Sequence, residues 1–201
     1  MLDHAEEWRI RTGGAFAPGV THPHACWEKL SDSTYRRLDV PPFTLNASAK
    51  GAIVDDVARL IEQTYPDISQ IVVNIGGDLC VRGRKLMRVG VQSSDDGASP
   101  LTVIGLCNHA IATSGTARRG LHIRDPRTAK PVSHTPLVSV VAQTAQLADV
   151  LSTACSVLTI PERLALIAST PKAEAILVDA DGQPCRSSGW MQLERQARTA
   201  C

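Results

Sequence analysis

Gln70-Ile71-Val72-Val73-Asn74-Ile75-Gly76-Gly77-Asp78-Leu79-Cys80-Val81-Arg82 holds two short β-like runs, Gln70 to Asn74 and Leu79 to Arg82, on either side of a Gly-Gly turn. Further β-like runs follow at Leu86 to Gln92, Leu101 to Leu106, Ile111 to Thr113 and Leu137 to Ala142. Gly83 and the polar stretch Ser93 to Pro100 supply turns between them. Upstream, Ile53, Val54, Val57, Leu60 and Ile61 recur at helical spacing, with Asp55, Asp56, Arg59 and Glu62 on the other face. Ser48 is the expected N-cap of that helix, and Pro66 closes it. Downstream, Ala145 to Leu158 reads as a helix, and a shorter helix runs from Pro161 to about Ser169. A strand from Ala173 to Val178 ends at the Asp179-Ala180-Asp181-Gly182 turn. Strand runs followed by helices, without strict βαβ alternation, predict an α+β domain: an antiparallel or mixed sheet with packed helices. One domain is expected over residues 1–201. Residues 1–47 are expected to be loop-rich because of Gly13-Gly14, Pro18, Gly19, Pro23 and Pro41-Pro42.

Composition narrows the function classes. The chain has 21 basic and 20 acidic residues, so no broad positive field draws it to nucleic acid or anionic lipid. Aromatics make up 3%, too few for a stacked single-strand platform. No run reaches the ~18 apolar residues of a membrane span. The start, Met1-Leu2-Asp3-His4, has no signal-peptide pattern, so the expectation is a cytoplasmic protein, or a periplasmic one if an upstream signal peptide was omitted. The six cysteines are far apart with no C-x-x-C pair, which favours free thiols over a zinc or redox motif. His4, His22 and His24 are expected to be solvent-exposed imidazoles.

Four polar clusters sit where apolar elements begin or end. Asn74-Ile75-Gly76-Gly77-Asp78 reads as a hairpin turn or as a loop that lets backbone approach a ligand. Ala112-Thr113-Ser114-Gly115 offers two hydroxyls and backbone N–H groups at a strand end, as a turn or a phosphate cradle. His122-Ile123-Arg124-Asp125-Pro126-Arg127-Thr128 puts an imidazole, a carboxylate and a guanidinium within seven residues. Asp149 and Thr153 stand four apart on a helix and share a face, beside apolar Leu147, Val150 and Leu151. Burying that carboxylate is costly unless it is paired, and oxygen ligation of Mg²⁺ would pair it. The alternative is an exposed Asp stabilised by the helix dipole.

The ordered motifs A-K-G at Ala49-Lys50-Gly51, N-x-G-G-D, A-T-S-G, H-I-x-D-P-x-T and A-D-x-L-S-T-A resemble those of the ApbE-type flavin transferases (FAD:protein FMN transferases). The resemblance runs from about Gly13 to Val178 and includes Lys85 to Gln92, similar to the family's strand after the Gly-Gly-Asp turn. It implies a Mg²⁺-dependent transfer of FMN from FAD to a threonine hydroxyl of a target flavoprotein, releasing AMP. By position it implies Asp149, Thr153 and the Ala47 carbonyl as metal ligands, and His122, with Asp149, at the catalytic centre. Phe16, Lys50, Asn74, Gly76, Gly77, Asp78, Thr113, Ser114, Gly115, Ile123 and Asp125 are implied around the FAD.

The departures from the family pattern fall on the flavin side. The chain lacks the longer N-terminal portion that supplies flavin contacts. In Gly14-Ala15-Phe16-Ala17-Pro18, Ala17 replaces the family's acid, and Thr44-Leu45-Asn46-Ala47 stands where Asp-Leu-Gly-Gly or Asp-Leu-Gly-Ala is common. Thr116-Ala117 replaces an acidic-aromatic pair. A shortened member is expected, either active as a transferase, acting as an FAD pyrophosphatase, or a degenerate or partner-dependent flavin-binding protein without activity alone, its flavin site completed by a partner chain.

Overall fold

The computed structural model describes residues 1–38, 42–92, 99–115, 123–132, 137–179 and 181–199. A six-stranded sheet has the spatial order β10 (Pro184–Arg186), β9 (Glu174–Val178), β8 (Leu137–Ala142), β7 (His109–Ser114), β4 (Asp78–Gly83), β3 (Gln70–Ile75). Every neighbouring pair in it is antiparallel. Helices α2 (Asn46–Thr64) and α3 (Ala145–Val157) cover one face of this sheet. The hairpin β5 (Met87–Gln92) and β6 (Pro100–Leu106), with helix α5 (Trp190–Thr199), covers the other. Helix α4 (Ile160–Ala168) follows α3. At the chain start lie α1 (Leu2–Arg11) and the short pair β1 (Trp27–Lys29) and β2 (Tyr35–Arg37). This is the α+β architecture expected from the sequence.

Strand periodicity explains the two layers. Adjacent β4 residues Cys80 and Val81 point to opposite faces, Cys80 toward Val54 and Ala58 of α2, Val81 toward Ile104 and Leu106 of the hairpin. Strand β8 is buried at all six positions. A central strand covered on both faces reads as an unbroken apolar run, which Leu137-Val138-Ser139-Val140-Val141-Ala142 nearly is.

Three expectations need correction. First, residues 1–47 hold more regular structure than their glycines and prolines suggest: α1 docks through buried Ala5 and Trp8 onto the core beside Val150 and Leu151, and β1 pairs with β2. With only a few apolar positions in a charged decapeptide, α1 leaves too weak a periodic signal. The same holds for α5, anchored by buried Trp190 and Ala197. Second, α2 begins at Asn46, so Ser48 is not its cap but a fully buried helical residue whose Oγ accepts from Gln146 Nε2 at 3.4 Å. Third, two of the histidines are not free surface groups. His4 is half-buried and its Nε2 accepts the Trp8 indole N–H at 3.2 Å, with burial holding its pKa below the ordinary value. His22 is half-buried, its ring lying against Gly19.

The α2 stripe also turns differently from the pattern. Ile53 and Leu60 are 51% and 62% exposed, whereas Gly51, Val54 and Ala58 face inward. Small residues at the contact let α2 approach α3 closely, and that proximity outweighs burial of the larger side chains. Among the described residues Cys26, Cys80, Cys107, Cys155 and Cys185 are free thiols; Cys201 lies outside them. Burial pushes the Cys80 thiol up to about 11 and Cys155 to about 12, so neither is a thiolate at neutral pH.

Candidate active site

The β3–β4 connection is a two-residue hairpin in which Gly76 and Gly77 have φ of 59° and 98°. Positive φ at both central positions is the demand of the tight turn that matches strand twist, and glycine meets it without strain. Asn74 Oδ1 accepts the Gly77 N–H at 3.2 Å and holds the turn. The turn delivers Asp78 as the first residue of β4, where it is 1% exposed and paired with Lys50 Nζ from α2 at 2.8 Å.

Asp149 of α3 lies beside that pair. It is 4% exposed, and its Oδ2 has no hydrogen-bond partner among the described residues. Burial, then the Asp78 charge, pushes its pKa up to about 7, against the opposing pull of Lys50 and of a hydrogen bond from the Gly51 N–H. The exposed, dipole-stabilised reading of Asp149 is therefore not what the fold builds. One helical turn on, Thr153 lines the same cavity. At Ala47, α2 is kinked, with φ −80° and ψ 15°. Turning ψ from the helical value of about −42° swings the Ala47 carbonyl away from the helix axis.

Two further contacts fix the helices that carry these groups. Gly51 abuts α3: a Cβ there would lie 2.5 Å from Ala145 C, 2.6 Å from Gln146 Cα and closer still to the Ala145 oxygen. Asp55, one turn further along α2, accepts the Ala145 N–H on Oδ1 and the Gln146 N–H on Oδ2, both at 2.9 Å. A carboxylate from one helix thus caps the first turn of the other, beside the Thr144 hydroxyl cap at 3.2 Å. Asp55→Ala is expected to cost about 2 kcal/mol, lowering Tm by about 4–8 °C for a domain of this size. Asp55→Asn, which keeps one acceptor, is expected to lose less; equal melting temperatures for wild type and Asp55→Ala would show that the cap contributes nothing.

These groups open into a cleft of about 920 Å³ between the helix layer and the β5–β6 hairpin. Phe16, Ala47, Lys50, Asn74, Gly76, Gly77, Thr113, Ser114, Gly115, Ile123, Asp149 and Thr153, all singled out from the sequence, line it. Asp78 lies beneath it on Lys50. Phe16 is 3% exposed, its N–H held by Thr12 Oγ1 at 3.0 Å. The hydroxyls at the strand end are engaged within the protein: Thr113 Oγ1 meets Ser139 Oγ at 2.8 Å, and Ser114 Oγ meets Ser152 Oγ at 2.9 Å.

Asp125 is not among the lining residues. It organises its own turn, accepting from the Arg127 backbone N–H and from both ends of its guanidinium at 2.9 Å. Partial burial raises its pKa, but those Arg127 bonds dominate and hold it below the usual carboxylate range. His122 lies outside the described residues. Sequence reasoning missed the wall formed by Val89, Gly90, Val91, Gln92 and Pro100. Its signals were a β-like run and the likeness of Lys85 to Gln92 to the family's strand, neither of which tells which neighbour the hairpin faces.

Among the described residues no three His, Cys, Asp or Glu side chains cluster as a metal site. Asp149 Oδ2, the Thr153 hydroxyl and the Ala47 carbonyl are instead hard oxygen donors of the kind Mg²⁺ takes alongside phosphate oxygens. No helix among the described residues is long and apolar enough to cross a membrane.

Comparison with known proteins agrees with this geometry. A family model described as the ApbE family matches residues 41–177. The FAD:protein FMN transferase of Escherichia coli K12 is 30% identical over 177 residues, covering 80% of this chain and 49% of that protein. The FAD:protein FMN transferase of Treponema pallidum is 29% identical over 246 residues, covering 94% of this chain and 67% of its own length. The chain thus spans about half the length of the Escherichia coli relative. Among solved structures, the ApbE protein of Thermotoga maritima superposes with a TM-score of 0.83 at 22% identity, over 96% of this chain and 76% of that one. The apo flavinyl transferase ApbE of Pseudomonas stutzeri gives 0.78 at 22% identity, over 96% and 72%. The Asn74–Asp78 turn, the Lys50–Asp78–Asp149 group and Thr113–Gly115 all fall inside the matched span, and the chain belongs to the ApbE family.

Proposed function

We infer that this chain transfers FMN from FAD to a threonine hydroxyl of a target flavoprotein and releases AMP. The observation that carries this reading is Asp149 Oδ2, a buried carboxylate oxygen without a hydrogen-bond partner among the described residues, at the wall of a cleft that also holds Lys50 and the Gly76–Gly77 turn. Leaving a buried carboxylate oxygen without a partner is costly, and a bound cation supplies one. Asp149, Thr153 and the Ala47 carbonyl would hold Mg²⁺, which when bound neutralises charge on the pyrophosphate.

In the reaction the threonine oxygen forms a bond to the FMN phosphorus, and the bond from that phosphorus to the bridging oxygen of AMP breaks. The threonine proton passes to a base, for which His122 is the family's candidate by position, and AMP leaves with the bridging oxygen as part of its phosphate. Asp78 orients Lys50 Nζ, which has two further ammonium protons for phosphate oxygens. Gly76 and Gly77, with no atom within 4 Å of where a Cβ would stand, leave space for the ligand to approach the backbone. Phe16 and the β5 residues Val89 and Val91 give the cleft an apolar wall suited to a planar ring.

The test mixes the purified chain with FAD, MgCl₂ and a flavoprotein fragment that carries an acceptor threonine. Covalent flavin fluorescence on a denaturing gel, with AMP in equal amount, is the expected result. AMP with free FMN would make the protein a pyrophosphatase, and unconsumed FAD would overturn the assignment of activity to this chain acting alone.

A further inference from the structure

A second cavity, of about 420 Å³, lies between the β5–β6 hairpin, β10 and α5, and it shares no lining residue with the flavin-side cleft. Three guanidiniums line it: Arg88 of β5, Arg186 of β10 and Arg198 of α5. Among the described residues one carboxylate, Glu194, lines the cavity with them, and its Oε1 is already engaged. Glu194 Oε1 accepts from Thr102 Oγ1 at 2.8 Å, from Arg186 Nε at 3.0 Å and from the Trp190 indole N–H at 3.1 Å. That engagement orients Arg186 and leaves its terminal nitrogens available. The side chains of Arg88 and Arg198 have no hydrogen bond or ion pair among the described residues. The local balance is three positive charges against one negative, in a chain whose overall net charge is +1. Leu101, Val103 and Ala197 complete the lining with apolar surface.

Converging guanidinium forks with a small apolar wall are the chemistry that recognises an oxyanion on a compact organic body. Like charges held together by the fold with one counter-ion among three repel, and a bound anion relieves that repulsion. We propose that this cavity is a binding site for a small organic anion, a phosphate monoester or carboxylate, held by Arg88, Arg186 and Arg198. The proposal does not rest on the transferase reading, because the two cavities are separate.

The test is isothermal titration calorimetry of the full chain with inorganic phosphate, phenyl phosphate and benzoate, at low and at 0.5 M salt. Binding of phenyl phosphate in the millimolar range or tighter, weakened by salt, is expected. Stronger heat with phenyl phosphate than with benzoate identifies the phosphate source, and the reverse identifies the carboxylate. The double variant Arg88→Ala/Arg198→Ala is expected to lose about tenfold or more in affinity. Both side chains are exposed, so it should melt like wild type and quench FAD fluorescence equally. Absence of binding by all three probes would overturn the proposal. So would equal affinity in the double variant, or displacement of the probe by FAD. If the double variant melts early, the single reversal Arg198→Glu gives the same readout.

Discussion

Asp149→Ala is expected to lower magnesium-dependent FAD turnover by about 1,000-fold while leaving the fold intact. The activity would fall because the variant removes the one carboxylate oxygen in the cleft that, among the described residues, lacks a hydrogen-bond partner. The fold should survive because that carboxylate works against it: Asp149 is 4% exposed, and burial and the Asp78 charge push its pKa up to about 7. A carboxyl whose folded pKa lies above its unfolded value of 3.8 keeps its proton in the native state after the unfolded chain has released it. Stability therefore declines as pH rises from about 4 to about 7, and the loss is complete above that. In EDTA, wild type should accordingly lose about 2–3 kcal/mol relative to Asp149→Asn between pH 5 and pH 8, read by chemical denaturation. Added Mg²⁺ should raise the wild-type Tm more at pH 8 than at pH 5, because the metal takes the ionised oxygen. Unchanged AMP release from Asp149→Ala would sink the metal assignment.

Gly51→Ala is expected to be strongly destabilising for a single added methyl. Its Cβ would enter the backbone of Ala145 and Gln146, at 2.5 Å from Ala145 C and 2.6 Å from Gln146 Cα. Backbone cannot rotate aside as a side chain can, so α2 and α3 must separate. The cost is about 3 kcal/mol, or a fall in Tm of about 6–12 °C. Because α2 carries Ala47 and Lys50 while α3 carries Asp149 and Thr153, the separation widens the site itself. A displacement of about 1 Å in such a constellation costs about 100-fold in turnover, so activity should fall even at temperatures where the variant is folded. A Gly51→Ala protein that melts within a degree of wild type and turns over FAD normally would show that the two helices are not held at contact distance.

The longer strands were legible because their signals are local, whereas the three-residue β1, β2 and β10 carry too little pattern to be read. The apolar, β-branched runs within Gln70 to Asn74 and Leu79 to Arg82, with glycines between them, suit a hairpin whatever the rest of the chain does. The observed register pairs Ile75 with Asp78 across that turn. Helix α3 was legible for the same reason, from a long apolar period with Thr144 before it. The charged helices α1 and α5 were not, since each is anchored by two buried residues, Ala5 and Trp8 or Trp190 and Ala197. A helix held by so few contacts is helical because of what it packs against.

At the candidate site the division is similar. The order of the motifs, and hence the family, follows from the residues themselves, as does the need for glycine at positions 76 and 77, because these depend on covalent chemistry and short-range backbone sterics. The sequence alone also marked Asp149 as a carboxylate on a largely apolar helix. Only the tertiary structure decided that Asp149 is buried rather than exposed, that Asp78 and Lys50 stand beside it, and that Asp55 caps α3 while Asp125 serves its own turn. It also decided which face of α2 turns inward, choosing Gly51 and Ala58 over Ile53 and Leu60. Those outcomes join residues as far apart in the chain as Lys50 and Asp149. They depend on how closely two helices can approach and on which charges share a low-dielectric pocket, and neither quantity is a property of any local stretch of chain.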